Sequence, residues 1–567
     1  MRVVAVSATE AGRALATRLP YEAFHGSVGD AVRLLWAEVD GLVLMLATGA
    51  AVRIVAPLLE GKDRDPSVVC VDERGRWAVA LCGGHAAGGN DLAREVGALL
   101  GAEPVVTTAT DAAGVAALDV LPGYAAAGDV AGVTAAILAG RAPVVEVLLS
   151  GWPVPAGLAA GSGPERVVVT DTLLPPPPPA VAPAGAGAAV PAPVAVLHPP
   201  SLVAGVGCSS DADGAEVGDL LGQVLAAAGL APASVGTVAT IDRRREHPAV
   251  VGLGRPVRAF PAAELAVVPT PHPSATVAAA VGTPSVAEAA ALLAAGPGAA
   301  LVVPKRTSAR ATVAVVRRAG PAGHLALVGL GPGHLAHRTP AASAAVRAAE
   351  VVMGYGAYLD QAGDLLTPGQ VVEAFSIGAE VDRARRGLEH ARAGRRVALV
   401  CSGDAGVYAM ASIVGELAPV VAPDVELTVV PGVTAGLAAA SLLGAPLGHD
   451  HAVVSLSDLL TPWEVIEHRL RAAAEADLVL TLYNPRSAGR PWQLGAALDV
   501  LRRHRPPDTP VGVVSDAYRP GQQVTFTTLS ELDPGTVGMT SCVIVGATST
   551  RIRTGRMVTP RGYRPCP

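Results

Sequence analysis

Gly329-Leu330-Gly331-Pro332-Gly333, directly after the strand-like run Leu325–Val328, is the first segment whose spacing suggests a bound ligand. A dinucleotide loop carries a third glycine three positions after the second and an acidic residue about 20 positions on, closing the next strand. Here position 334 is His334, and Glu350 precedes the strand-like run Val351–Met353 instead of ending it. The loop is not a dinucleotide fingerprint. A triphosphate loop fails as well: the only lysines, Lys62 and Lys305, are followed by Asp63 and Arg306, where Ser or Thr is needed. The six cysteines (Cys70, Cys82, Cys208, Cys401, Cys542, Cys566) form no C-x-x-C pair, which argues against zinc ribbons and iron–sulfur clusters. His449-Asp450-His451 is a lone H-x-H without further ligands and reads as a surface loop, so no metal site is expected.

Other turns rich in small residues follow: Ser402-Gly403-Asp404-Ala405-Gly406-Val407-Tyr408, Val430-Pro431-Gly432-Val433-Thr434-Ala435, Leu482-Tyr483-Asn484-Pro485 and Gly546-Ala547-Thr548. Glycines here let backbone approach a ligand closely, and a helix opening at Thr434 presents N–H groups to a carboxylate. Asp404 has two readings, a partner for a ligand hydroxyl or amine and a turn cap. Earlier in the chain, His85 stands in a glycine-rich turn, with Thr107, Thr108 and Asp111 some 20 positions on. Cys208 is disfavoured as a nucleophile, because no histidine stands near it in sequence.

The elements that hold these residues need several domains. At roughly 150 residues per domain, 567 residues make three to four. Half the residues are hydrophobic and only 16% are charged, which excludes disorder throughout. Lys+Arg 43 against Asp+Glu 49 leaves −6, which argues against a nucleic-acid partner. Apolar runs are short and broken, no signal-peptide-like stretch opens the chain, and scattered single thiols suit a reducing compartment. The expected setting is the cytoplasm, without a membrane partner.

Short β-branched runs alternate with Ala/Leu-rich pieces, so the fold class is α/β with several domains. Leu42–Ala47 and Val105–Thr108 read as strands, Val68–Asp72 with Trp77–Leu81 as a hairpin, and Asn90–Leu100 as a helix. Residues 1–121 form a first unit, followed by a middle region, 122–173. Residues 174–200, with prolines at 175–179, read as a polyproline spacer. A further unit spans 201–320, with strands at Val203–Val206, Ala266–Val268 and Ala300–Val303 and a helix at Ser285–Ala295. The last unit is 323–567, where Thr339-Pro340 caps and starts a helix.

The turns of this last unit, in their order, resemble those of the tetrapyrrole methylases. Ser455-Leu456-Ser457-Asp458-Leu459-Leu460-Thr461-Pro462-Trp463 and the tail Val558–Tyr563 resemble the ring-contracting members, the precorrin-3B C(17)-methyltransferases. The resemblance implies a two-domain, class III S-adenosylmethionine (SAM) methyltransferase fold with SAM as cofactor. It implies cofactor contacts at Gly403, Asp404, Val407, Tyr408, Thr434, Ala435, Tyr483, Asn484, Ala547 and Thr548. It places Gly331, Pro332, Gly333, Ser457 and Asp458 near a precorrin substrate, and leaves a homodimer of the methylase half open. His451 stands where an aromatic residue is expected, away from the cofactor turns. A polycarboxylate macrocycle needs cations, and the candidate groups are Arg383, Arg385, Arg386, Arg395 and Arg396, and Arg551, Arg553, Arg556 and Arg561.

Lys62–Val69, Gly83–Ala93 and Pro104–Asp111, then Gly205–Cys208, Ile241-Asp242, Thr283–Ala289 and Val303–Lys305, resemble the two domains of cobalt-precorrin-5A hydrolase. That enzyme opens the ring-A lactone and releases a two-carbon fragment. The resemblance implies two α/β hydrolase-half domains. Lactone opening needs an activated water and oxyanion donors, for which the candidates are His85 as base, Asp111 to orient it, and Thr107, Thr108 and the backbone at Gly88-Gly89 as donors; a turn histidine bonded to backbone is the other reading. Any cobalt is part of the substrate. Ser209-Ser210 replaces an expected basic pair and the glycine run after His85 is shifted to Ala87-Gly88-Gly89, which keeps a non-catalytic corrinoid-binding, channelling half open. For the last unit, a methyltransferase acting at another corrinoid carbon is the alternative.

Overall fold

The computed structural model describes residues 2–61, 64–85, 87–155, 157–174, 192–321, 323–423, 425–487 and 489–563. Lys62, Asp63, Ala86, Cys566 and the prolines at 175–179 lie outside the described residues.

The first unit is a six-stranded sheet in the order Glu22–His25, Val3–Ser7, Gly41–Met45, Ser67–Val71, Trp77–Cys82, Glu103–Val105. Its first four strands are parallel, and Trp77–Cys82 turns antiparallel to its neighbour. Val3–Ser7, Gly41–Met45 and Ser67–Val71 are buried at every residue, because helices cover both faces. The strand expected at Val105–Thr108 is shifted to Glu103–Val105: Thr108 is instead the N-cap of the helix Ala109–Ala113. A threonine beside a helix-forming Ala-Thr-Asp-Ala-Ala run favours the cap over the strand.

The spacer reading of 174–200 needs correction at its C-terminal end. Val194–His198 is a strand, parallel to Arg166–Val169 and antiparallel to Ala125–Gly128. With Val144–Val147 they form a four-stranded sheet, so the middle region is built with residues from beyond the prolines. An apolar run that gains hydrogen-bond ladders on both sides is drawn into a sheet, and it buries Ala195 and Leu197. The third unit is the sheet Val257–Phe260, Val235–Ile241, Leu202–Cys208, Ala311–Arg317, Ala300–Thr307, with helix Ala287–Ala295 against it. Ala266–Val268, expected as a strand, ends the short helix Ala262–Ala266; Pro261 starts that helix and Leu265 anchors it in the core.

Residues 324–563 build two α/β domains. The first has five parallel strands in the order Val371–Phe375, Val351–Tyr355, Arg396–Cys401, His324–Gly329, Glu426–Val430. The second is a mixed sheet, His451–Ser455, Val479–Tyr483, Ser541–Val545, Pro510–Ser515, Gln523–Thr528. This is the expected multidomain α/β architecture. Among the described residues, no helix is long and apolar enough to cross a membrane.

Candidate functional site

In the parallel sheet, His324–Gly329 lies between Arg396–Cys401 and Glu426–Val430, with Gly329 beside Cys401 and Val328 beside Val430. The loops after these strands therefore leave the same carboxyl edge, where open α/β sheets bind ligands. Gly331 and Gly403 exchange backbone hydrogen bonds of 3.0 and 2.8 Å, joining the first two loops. Gly432 closes the third against them: a Cβ there would lie 2.1 Å from the Gly403 carbonyl oxygen and 2.7 Å from that of Gly329. Asp404 ties the group together, one carboxylate oxygen accepting from Gly406 N at 2.8 Å and the other from Gly432 N at 3.0 Å.

Across from this edge stands Tyr483, at the end of a strand of the second domain. Its hydroxyl accepts from Gly436 N at 2.5 Å and lies 2.7 Å from Thr434 Oγ1, over the start of helix Ala435–Leu443. The Tyr408 ring packs on the Tyr483 ring with centroids 5.4 Å apart, and its hydroxyl donates to the Val453 carbonyl. Burial raises both phenols above their ordinary pKa. Tyr408 and Asn484 hold φ of 51°, a left-handed conformation uncommon outside glycine and concentrated at functional turns. Together these groups enclose a cavity of about 570 Å³ lined by Val407, Tyr408, Thr434, Gly436, Thr481 and Tyr483, among others. His451 also lines it, which corrects the expectation that this position stands away from the cofactor turns.

Of the residues anticipated for the cofactor, Val407, Tyr408, Thr434 and Tyr483 line the cavity, and Gly403, Asp404 and Ala435 build its backbone rim. Asn484 donates to Ser455 Oγ at 3.0 Å. Ala547 and Thr548 do not line it. Ala547 is packed into the second domain's core, and both N and Oγ1 of Thr548 donate to Asp477. Ser457 and Asp458 follow strand His451–Ser455, where Asp458 accepts from Gln493 at 3.0 Å. Three of the candidate arginines are engaged elsewhere: Arg383 is buried, Arg386 grips Glu373 through two hydrogen bonds, and Arg551 donates to the carbonyls of Thr548 and Thr550.

Sequence reasoning missed Arg519, on the turn after Pro510–Ser515. Its Nε donates to the Pro332 carbonyl at 2.6 Å and its Nη2 to Ser402 Oγ at 2.6 Å, joining the second domain to two loops of the first. Beside it the Tyr518 ring lies 3.9 Å from that of His337. No spacing in the sequence marks Arg519.

A second cluster lies in the first unit. His85 Nε2 is 3.0 Å from Asp111 Oδ2 and 2.8 Å from Thr110 Oγ1. Asp111, whose side chain is 7% exposed, also accepts from Arg94, Thr108 and Asn90. Burial pushes its pKa up, but the hydrogen bonds from Thr108 and Arg94 and the charges of His85 and Arg94 bring it below the ordinary carboxylate value. Thr107 is exposed. Asn90 Oδ1 is buried and has no partner among the described residues. The adjoining cavity, about 120 Å³, is lined by His85, Asn90 and Asp111 and by Arg347, Thr367 and Pro368 of the last unit. In the third unit, Cys208 Sγ lies 3.8 Å from His247 Nδ1, a neighbour 39 positions away that no local reading finds. Burial raises the Cys208 thiol pKa, with Arg244 pulling the other way, so the thiol is not activated.

Three turns at one sheet edge, faced by a second domain, mark a ligand site in a two-domain α/β unit. Residues 324–533 match the tetrapyrrole (corrin/porphyrin) methylases, residues 30–111 the cobalamin synthesis G N-terminal region, and residues 202–316 the cobalamin synthesis G C-terminus. A probable cobalt-factor III C(17)-methyltransferase of Salmonella typhimurium is 48% identical over 239 residues, covering 42% of this chain and 99% of that protein. A precorrin-3B C(17)-methyltransferase of a Sinorhizobium species is 46% identical over 249 residues, 42% of this chain and 97% of that protein. The crystal structure of the methyltransferase CobJ aligns with a TM-score of 0.40 at 38% identity, covering 42% of this chain and all of that one (100%). The chain belongs to the tetrapyrrole methylase family, fused to both cobalamin synthesis G regions.

Proposed function

We propose that residues 323–567 transfer a methyl group from SAM to C17 of a precorrin-3B-type corrinoid, with contraction of the ring. We propose further that the N-terminal half opens the ring-A lactone of a cobalt-precorrin-5A-type corrinoid by hydrolysis. The observation that carries the first part is the shared cavity of Val407, Tyr408, Thr434 and Tyr483, in a segment 48% identical over 239 residues to a protein named for C(17) methylation.

The cavity fits SAM. Its volume of about 570 Å³ lies in the usual range for cofactor sites, and its rim is backbone turn, with Gly403 at a φ of 67° and Gly432 packed directly on the loops of Gly403 and Gly329. Thr434, Ala435 and Tyr483 would meet the carboxylate and amine, Val407 and Tyr408 the nucleoside. When bound, SAM supplies an electrophilic methyl whose leaving sulfide departs neutral, so little acid–base help is needed. Orientation then dominates the rate. Asp404 fixes the turn, Gly432 keeps the loops in contact, and Tyr483 holds the second domain over the helix start. Cobalt enters only with the substrate, and the setting is cytoplasmic.

For the hydrolytic half, Nε2–H of His85 donates to Asp111, which leaves Nδ1 as the basic nitrogen. His85 takes a proton from water as the water oxygen adds to the lactone carbonyl; the ring C–O bond then breaks and His85 returns the proton to the departing alkoxide. The fragment leaves when the bond from the hydroxyl-bearing carbon to the macrocycle breaks, the hydroxyl becoming its carbonyl and the ring carbon taking the proton. Thr108 holds Asp111 in place, and Asn90 Oδ1 is an acceptor ready for a water hydrogen. One observation favours a second reading, in which His85 is not catalytic: the cavity of about 120 Å³ beside it, with Arg347 and Pro368 in its lining, admits water but no macrocycle.

Single-turnover incubation of the full chain with labelled SAM, using metal-free and cobalt-loaded precursors and read by mass spectrometry, tests both parts. The expected products are a ring-contracted C17-methyl corrinoid and, from the later precursor, a released two-carbon fragment. The His85→Ala variant should lose about 10²–10⁴-fold of the second activity and keep the first. Methyl incorporation at another carbon would refute the first part; fragment release unaffected by the substitution would remove His85 from the mechanism.

A further inference from the structure

Arg519 carries a charge that the fold leaves uncompensated. It is half-buried, and the two partners it has, the Pro332 carbonyl and Ser402 Oγ, are both neutral. Among the described residues no carboxylate pairs with it, and its Nη1 makes no hydrogen bond. A guanidinium presents five N–H donors, and the two bonds use only Nε and one hydrogen of Nη2. The end-on edge of Nη1 and Nη2 remains, and its two parallel donors match a carboxylate.

Position adds to this. The turn that carries Arg519 strains its own backbone, with φ of 49° at Asp516 and 58° at Tyr518, and Tyr518 is held by His337 and by Ser441 at 2.8 Å. Gly333 must be glycine here: its φ is 155°, and a Cβ would lie 2.4 Å from Arg519 Cγ. Ser402, which receives Nη2, begins the loop whose later residues Val407 and Tyr408 line the cavity of about 570 Å³. Arg519 therefore stands where the Gly331–Gly333 loop meets the start of the loop that runs on to the cavity.

We infer that Arg519 is a substrate-carboxylate subsite, which receives one acidic side chain of the macrocycle and sets its ring against the methyl donor. The inference rests on the methylase reading above. Arg519 is a positioning residue in this role and takes no part in proton transfer.

The test uses the full chain and two probes, a cobalt porphyrin polycarboxylate and its neutral methyl ester, titrated by absorbance. Arg519→Gln removes the charge but keeps an amide donor for the Pro332 carbonyl; Arg519→Lys keeps the charge and loses the fork. Losing a charge-assisted contact should weaken binding of the acid about tenfold to hundredfold in Arg519→Gln. Arg519→Lys should fall between, and ester binding should be the same in all three proteins. SAM affinity by calorimetry, close to wild type in both variants, reports an intact fold. Acid binding within twofold of wild type in Arg519→Gln overturns the inference, as does an equal loss for acid and ester, which marks a loop clamp only. A wild-type chain that binds neither probe overturns the methylase reading beneath it, so the two failures are distinguishable.

Discussion

Asp404→Asn is the most informative single change in the methylase half. The carboxylate accepts from Gly406 N at 2.8 Å and from Gly432 N at 3.0 Å, so each oxygen already has a backbone donor. An amide keeps one acceptor and points an NH2 at the other N–H. One charge-assisted hydrogen bond, about 1.5–3 kcal/mol, is lost, and the partial exposure of the turn puts the net effect toward the lower end, about 2 kcal/mol. Because Gly432 also packs against Gly403 and Gly329, the damage falls on all three loops at the cavity rim. Hydrogen exchange of the segments 402–406 and 430–435 should accelerate about 30-fold, and SAM affinity by calorimetry should weaken in parallel. Weaker affinity with unchanged exchange would mean that Asp404 touches the cofactor and does not brace the loops. No change in either measurement would refute the brace and the ligand contact together.

Gly432→Ala should cost more, since its Cβ would meet two backbone oxygens that have nowhere to move; SAM binding should fall beyond 100-fold, and native affinity in calorimetry would refute the packing argument. Asp111→Asn should be pH-dependent. Its carboxyl is depressed below the ordinary value of about 4, so the stabilisation is complete above that value and is lost as pH falls through the depressed one. Urea unfolding should show a deficit of about 1–3 kcal/mol at pH 7 that shrinks toward pH 3; a deficit that grew on acidification would have the wrong sign.

Legibility followed the range of the forces involved. The glycines at 331, 333 and 403 were readable as turns because a positive φ is a local requirement, whereas the packing that demands glycine at 432 is against Gly329 and Gly403 and is not. The alternating apolar runs were readable as an α/β fold for the same reason. Ala266–Val268 was misread because a three-residue apolar run carries no period, and Leu265's place in the core decided for helix. Val194–His198 was hidden by the prolines before it, and only pairing with strands on both sides made it part of a sheet. Ala547 and Thr548 follow a strand as the cofactor turns do, yet Asp477, 71 positions away, holds Thr548 outside the cavity.

The sequence alone determined the turn chemistry, the α/β alternation and the order of the methylase motifs, since each depends on neighbours within a few positions. Tertiary structure decided which of those turns share a cavity. The strand order sets His324–Gly329 between two later strands, and a turn 187 positions after Pro332 then delivers Arg519 to it. Nothing local records such a contact, because the hydrogen bond joins loops that leave two different sheets.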